Sequence, residues 1–291
     1  MIATNPAPNA ESKLRQNIDV AWNQLTLIGL SPRATRNRLT FTPDMKEALS
    51  EPDFVQENGP ERPDFKIKLF AKIDSATPPD SIIASSSSGI TMSVIQSCCK
   101  RPERCVIGHP FNPPHMIPLV EVVRGSKTSG EAIKRAMDFY ASIGKKPIHL
   151  RKEFRGHVAV RLQAAHYREV AYLIEQGVLS VEDVDVAVSW GPRLRWGLMG
   201  PNLLWHIGGG EGGIHHFMET LMDPLTALMK DLGNPEFTSE LKQTIIGVIQ
   251  EAGNRSVETI AQEENEMLIG LLNLRSKDTS KSVSAKKVGQ A

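Results

Sequence analysis

The apolar residues of this chain change their spacing part-way along, and that change limits what the chain can fold into. Up to about Arg151, short apolar runs bounded by Gly, Pro and Ser alternate with stretches of helical periodicity. The runs lie at 39–41, 53–56, 81–85, 105–108, 119–123 and 147–150; the helical stretches lie at 11–28, 65–73 and 131–143. Residues 1–5 have the character of the end of a strand. Strands alternating with helices predict a mainly parallel sheet, so this half is expected to be an α/β domain over residues 1–152. Beyond it only the helical spacing persists. Gly156 opens a pattern through Val158, Leu162, Ala165, Glu169 and Leu173 that stops at Gly177, and Ser180, three residues before Asp183, marks the N-cap of the next helix. Further helical stretches at 201–207, 214–232, 239–252 and 256–272 make residues 153–275 an all-helical domain. Residues 276–291, rich in Ser and Lys and without periodicity, are expected to be disordered.

Charge and composition exclude several classes of partner. With 34 basic against 33 acidic residues there is no electrostatic case for nucleic acid or an anionic membrane surface. No apolar run approaches the roughly 20 residues that span a bilayer, and the N-terminus lacks the basic and apolar regions of a secretory signal. Three cysteines, two of them the neighbours Cys98 and Cys99, form neither a disulfide framework nor a zinc-ligand spacing. The expectation is a chain without a metal, in the reducing cytoplasm.

Two loops carry the candidate chemistry. Strand 81–85 leads into Ser85-Ser86-Ser87-Ser88-Gly89. Small hydroxyl residues at the carboxyl end of a parallel strand sit where open α/β sheets bind ligands, although an ordinary serine turn would read the same way. The next strand ends in His109-Pro110-Phe111-Asn112-Pro113, and Glu121 is a lone carboxylate inside Leu119-Val120-Glu121-Val122-Val123. An imidazole titrates near neutrality and suits general acid–base work, while a buried carboxylate is costly unless paired. A structural histidine would explain His109 alone; with Glu121 and Asn112 at these spacings, an acid-supported base is the better reading.

The segments SIIASSSSGI, GHPFNPPHMIPLVEVV, GHVAVRLQAAHYREV and GPRLRWGLMGPNLL, in this order, resemble the 3-hydroxyacyl-CoA dehydrogenase family. The likeness runs from about residue 3 to beyond residue 220, and the HPFNP…PLVEV block is specific. The resemblance implies a Rossmann domain, a helical domain that usually forms a homodimer, and NAD-linked oxidation of a 3-hydroxy group. It places the catalytic dyad on His109 and Glu121, the substrate-contacting serine on Ser88 and the active-site asparagine on Asn112. It places the acidic and basic residues of the nicotinamide side on Glu61 and Lys66. Within the family, the block GPRLRWGLMGPNLLWHIGGGEGGIHHF and the opening NPAPNAESKL are most similar to L-carnitine dehydrogenases. A trimethylammonium group has no N–H to donate and is bound by aromatic faces. Trp190, Trp196 and Trp205, with Glu211 close in sequence, are candidates for that task, or else core or interface residues. Either carnitine or a 3-hydroxyacyl-CoA remains open as substrate.

The chain also departs from the family's pattern. It is expected to begin after the first strand, the glycine-rich turn and the first helix, which makes the Rossmann-like domain truncated, with an uncovered edge or face in its sheet. The ribose-binding position is Asn5, which can bond a hydroxyl but carries no charge. Val160 stands before Arg161 where the family has Asn or Asp. Gly208–Gly213 satisfies G-x-G-x-x-G but follows a helical stretch, so it is read as a turn between helices or facing substrate and not as a dinucleotide fingerprint. The alternative to an active enzyme is a catalytically impaired relative that oligomerises or binds a ligand.

Overall fold

The computed structural model describes residues 1–251 and 256–278. They divide into two compact units, one from Met1 to Leu162 and one from Gln163 onward. In the first unit the elements are β1 (Ile2–Thr4), α1 (Ala10–Ile28), β2 (Thr40–Thr42), α2 (Met45–Ala48), β3 (Phe54–Glu57), α3 (Pro63–Ala76), β4 (Ile82–Ser85), α4 (Met92–Ile95), β5 (Cys105–Pro110), β6 (Leu119–Arg124), α5 (Gly130–Ser142) and β7 (Lys146–Leu150). α6 (Ala159–Glu175) starts in this unit and leads into the second, which adds α7 (Val181–Trp190), α8 (Pro192–Trp196), α9 (Pro201–Gly208), α10 (Gly213–Thr220), α11 (Met222–Asp231), α12 (Ser239–Glu251) and α13 (Val257–Asp278). The second unit contains no strand among the described residues.

The sheet is a five-stranded one in the order β3-β4-β5-β6-β7, with β1 and β2 forming a separate parallel pair, so β3 is an edge of the larger sheet. Pairing is parallel except between β5 and β6. The eight residues 111–118 joining those two strands are too few for a crossover, which needs a dozen or more. This is the Rossmann-type α/β architecture the alternating pattern predicts, followed by helices.

The period of two along each strand sorts the core onto two faces. Ile83, Ile107 and Val123 pack on one face with Phe70 and Ile73 of α3; Ile82, Ala84, Val106 and Val122 pack on the other with Ala132, Ile133 and Tyr140 of α5. Helices cover both faces, which is why β4 is apolar in its first three residues and buried throughout. The apolar stripe of α1, Leu14, Ile18, Trp22 and Leu25, is half-buried.

In the helical unit, Ser180 caps α7 by accepting from the backbone N–H of Asp183 at 3.0 Å, at the position the sequence marks. The stretch 214–232 is two helices, because the backbone breaks at Leu221 between α10 and α11. α13 extends to Asp278, so Ser276, Lys277 and Asp278 of the stretch expected to be disordered are helical; a basic side chain at the helix's last turns is favourable, and Arg275 also donates to the Gly197 carbonyl at 2.8 Å. Residues 279–291 of that stretch lie outside the described residues.

Candidate active site

The antiparallel register sets His109 directly opposite Glu121. His109 follows Cys105 and Ile107 on alternate positions of β5, so it shares their face of the sheet, and directly opposed side chains on one face stand about 5 Å apart at Cβ. Nδ1 of His109 lies 2.9 Å from Oε2 of Glu121. The imidazole is 9% exposed and the carboxylate 0%. An ionised carboxylate only accepts, so Nδ1 carries the proton and Nε2 of the neutral ring carries the lone pair. Nε2 has no hydrogen-bond partner among the described residues.

The second carboxylate oxygen, Oε1, accepts from the backbone N–H of Val158 at 2.7 Å and of Ala159 at 3.0 Å. These are free amides at the start of α6, where a helix favours negative charge. Burial pushes the Glu121 carboxyl up, but the His109 hydrogen bond and the amides of Ala159 and Val158 together outweigh it and hold the group below its ordinary value. The acid therefore stays charged beside the base.

Of the four loop serines, three have their hydroxyls engaged. Ser85 donates to Glu57 Oε2 at 2.6 Å, Ser86 to Asn58 Oδ1 at 2.6 Å and Ser87 to Glu61 Oε1 at 2.6 Å. Ser88 is half-buried, and its hydroxyl has no partner among the described residues. The exposed Asn112 amide, in the turn after β5, has none either. Ser88 and Asn112 thus keep their hydrogen-bonding groups available, as a ligand-facing residue must.

Glu61 and Lys66 are both engaged by groups within the protein. Lys66 is 1% exposed. Its three donors reach both carboxylate oxygens of Glu57, each at 3.0 Å, and the Gly59 carbonyl at 3.1 Å. Its donors are engaged inside the protein, chiefly by the buried acid Glu57. Glu61 Oε1 accepts from the backbone N–H of Gly89 at 2.8 Å as well as from Ser87, and its other oxygen lies 3.7 Å from Lys66. Burial works to raise the Glu61 carboxyl, but Ser87, the Gly89 amide, Lys66 and the Ile90 amide bring it below its ordinary range. Both residues brace the serine loop. Asn5, exposed just after β1, accepts from the Ala7 N–H at 2.9 Å through Oδ1.

Three features escape a reading of the sequence. Glu57 closes β3 one position before the Asn-Gly turn; a carboxylate at the buried end of an apolar strand was the available signal. The amides of Val158 and Ala159 leave no trace in side-chain identity. His157 follows Gly156 at the start of the helical pattern, and only its position hinted at a role. It is 4% exposed, adopts φ 50°, and its ring centroid lies 5.2 Å from that of His109.

In the helical unit two of the candidate tryptophans pack against other rings. Trp196 meets His166 edge-on at 5.8 Å, Trp205 stacks on Phe217 at 4.8 Å, and Trp190 is 76% exposed. Glu211 is exposed in a single 3-10 turn. The structure brings no two of Trp190, Trp196 and Trp205 into ring contact. Gly208–Gly213 joins α9 to α10; at Gly213, with φ 58°, a Cβ would come within 2.5 Å of the His206 ring. Close approach of two helices explains that glycine.

Residues 2–154 match the family described as 3-hydroxyacyl-CoA dehydrogenase, NAD binding domain, and residues 156–241 match its C-terminal domain. The chain belongs to the 3-hydroxyacyl-CoA dehydrogenase family. It is 42% identical over 278 residues to an L-carnitine dehydrogenase of Bacillus cereus, covering 95% of this chain and 85% of the relative. It is 40% identical over 273 residues to the L-carnitine dehydrogenase of Pseudomonas putida, covering 94% and 85%. Among solved structures it is similar to 5-formyl-3-hydroxy-2-methylpyridine 4-carboxylic acid 5-dehydrogenase, an NAD+-dependent dismutase, with TM-score 0.79 and 29% identity over 97% of this chain and 90% of that one.

As a member of this family the chain is an oxidoreductase that uses NAD. The residues present fit the nicotinamide end of that cofactor: the unengaged Ser88 hydroxyl and Asn112 amide lie in the loops that follow the sheet's neighbouring strands β4 and β5. No G-x-G-x-x-G sequence occurs within residues 1–162. Among the described residues no cluster of His, Cys, Asp or Glu is arranged to hold a metal, and no helix is long and apolar enough to cross a membrane.

Proposed function

We propose that the chain oxidises the 3-hydroxyl of L-carnitine to the 3-oxo compound. The observation that carries this reading is the His109–Glu121 pair at 2.9 Å, which leaves Nε2 of the base without a partner. Nε2 takes the proton of the substrate hydroxyl, and the ring becomes an imidazolium stabilised by a carboxylate that two backbone amides keep charged. Ser88 and Asn112 supply hydrogen bonds that orient the substrate oxygen and the nicotinamide. The bound cofactor supplies the hydride acceptor. Carnitine, rather than an acyl-CoA, is favoured by the identity to L-carnitine dehydrogenases over nearly the whole chain.

Trp190, Trp196 and Glu211 are the residues we assign to the trimethylammonium group, on the chemistry of exposed indoles and a carboxylate. Exposed apolar side chains of the helical unit, among them Leu203, Ile207, Leu228 and Met229, favour self-association as a homodimer, which sedimentation would read as twice the chain mass. Three free thiols accord with a cytoplasmic location.

The test is NAD reduction with L-carnitine and, separately, with a 3-hydroxyacyl-CoA. Turnover of carnitine that disappears in His109→Ala supports the reading. Turnover of the acyl-CoA alone replaces the substrate, and a folded protein that reduces NAD with neither is the impaired relative.

A further inference from the structure

His157 is a buried imidazole that the reaction above does not use, and it lies against both the serine loop and the His109 ring. Its Nε2 lies 2.9 Å from the Ser87 carbonyl. A carbonyl only accepts, so Nε2 carries the proton, and Nδ1 of the neutral ring is a bare acceptor. That Nδ1 is fully buried and has no partner among the described residues. The backbone is unusual at the same place. His157 is one of two non-glycine residues with positive φ among those described, and a residue held there is a strained position of the kind that collects at functional sites.

The next two residues, Val158 and Ala159, are those whose amides hold Glu121. The peptide bonded by His157 immediately precedes Ser88. One turn therefore links the acid, the base and the serine loop. We propose that His157 is a positioning residue: it fixes the Ser87–Ser88 peptide through Nε2, lays an uncharged ring against His109, and so registers the serine loop to the dyad. This rests on the reading of His109 as the base. If His109→Ala retains turnover, that reading fails; if His109→Ala is dead and the tests below fail, only the role of His157 falls.

The experiment compares His157→Phe, which keeps a ring without nitrogens, with His157→Gln, whose amide N–H can reach the Ser87 carbonyl. His157→Phe should lower kcat by up to about 100-fold, the effect of a displacement near 1 Å on an oriented reaction. The KM for NAD should stay close to wild type, and the melting temperature should fall by no more than the few degrees expected for one lost buried hydrogen bond. His157→Gln should recover kcat to within a few-fold. A purely structural residue would lower the melting temperature with kcat per folded molecule unchanged, and that result overturns the proposal, as does equal impairment of the two variants. Should His157→Phe not fold, nitrogen NMR of the wild-type protein decides: Nε2 protonated and Nδ1 bare at neutral pH is the expected tautomer, and an imidazolium or the opposite tautomer overturns it.

Discussion

Glu57 and Glu121 are two buried carboxylates near the same end of one sheet, and they end in opposite states. Glu57 closes on Lys66, whose three donors are all satisfied inside the protein, and it also accepts from Ser85 and from the Gly59 amide. Glu121 closes on His109, whose other nitrogen remains open. A lysine surrounded by acceptors is a point of support; an imidazole held by one nitrogen is a reagent. Burial by itself does not distinguish them. What distinguishes them is whether the partner's hydrogen-bonding capacity is exhausted.

Five measurements can break or sharpen this contrast. The largest effect belongs to His109→Ala, which should reduce kcat by about 10,000-fold, the upper range for general acid–base catalysis, with little change in melting temperature. Lys66→Met should do the reverse. It leaves Glu57 as an unpaired buried charge and should cost about 3–5 kcal/mol in urea denaturation, while the folded enzyme keeps its kcat. Replacing both Glu57 and Lys66 with apolar residues should restore most of that loss, and failure to do so would argue against the pair as support. Glu121→Gln should lower kcat about 100-fold, the lower range for general acid–base catalysis, because the amide no longer stabilises the imidazolium or enforces the tautomer with Nδ1–H.

The smallest effect is one of pH. The folded-state carboxyl of Glu121 sits below its ordinary value of 4.5, so its contribution to stability is complete above that value. The contribution drains as pH falls from there through the lower folded-state value. Urea unfolding across this acid range should show a shallower loss for Glu121→Gln than for wild type; equal slopes would mean the carboxylate is not held.

Much of this was legible in the sequence, and the reasons differ by residue. His109 and Glu121 stand out because a histidine at a strand end and a charge inside an apolar run each violate the local pattern. The strands at 53–56, 81–85 and 105–108 overlap β3, β4 and β5 because parallel strands buried on both faces read as continuous apolar runs. The antiparallel return of β6 was also within reach, since its short connection excludes a crossover, yet alternation with helices pointed only to a mainly parallel sheet and not to which pair runs the other way. The internal partner of Lys66 was not legible: a motif gives residue types but not which acid meets the ammonium, and Glu57 and Glu61 both lie within reach of it. The short α4 was missed because its four residues are too few to show a period.

The grip on Glu121 by the peptide groups of Val158 and Ala159 has a consequence for how this site can change over time. No side chain supplies those two hydrogens, so nineteen of the twenty amino acids at either position still provide them, and proline is the one that does not. Val160, which follows them, therefore has no part in the anchorage of the acid. Drift along this turn can reshape what the enzyme recognises while the charge behind its base stays fastened.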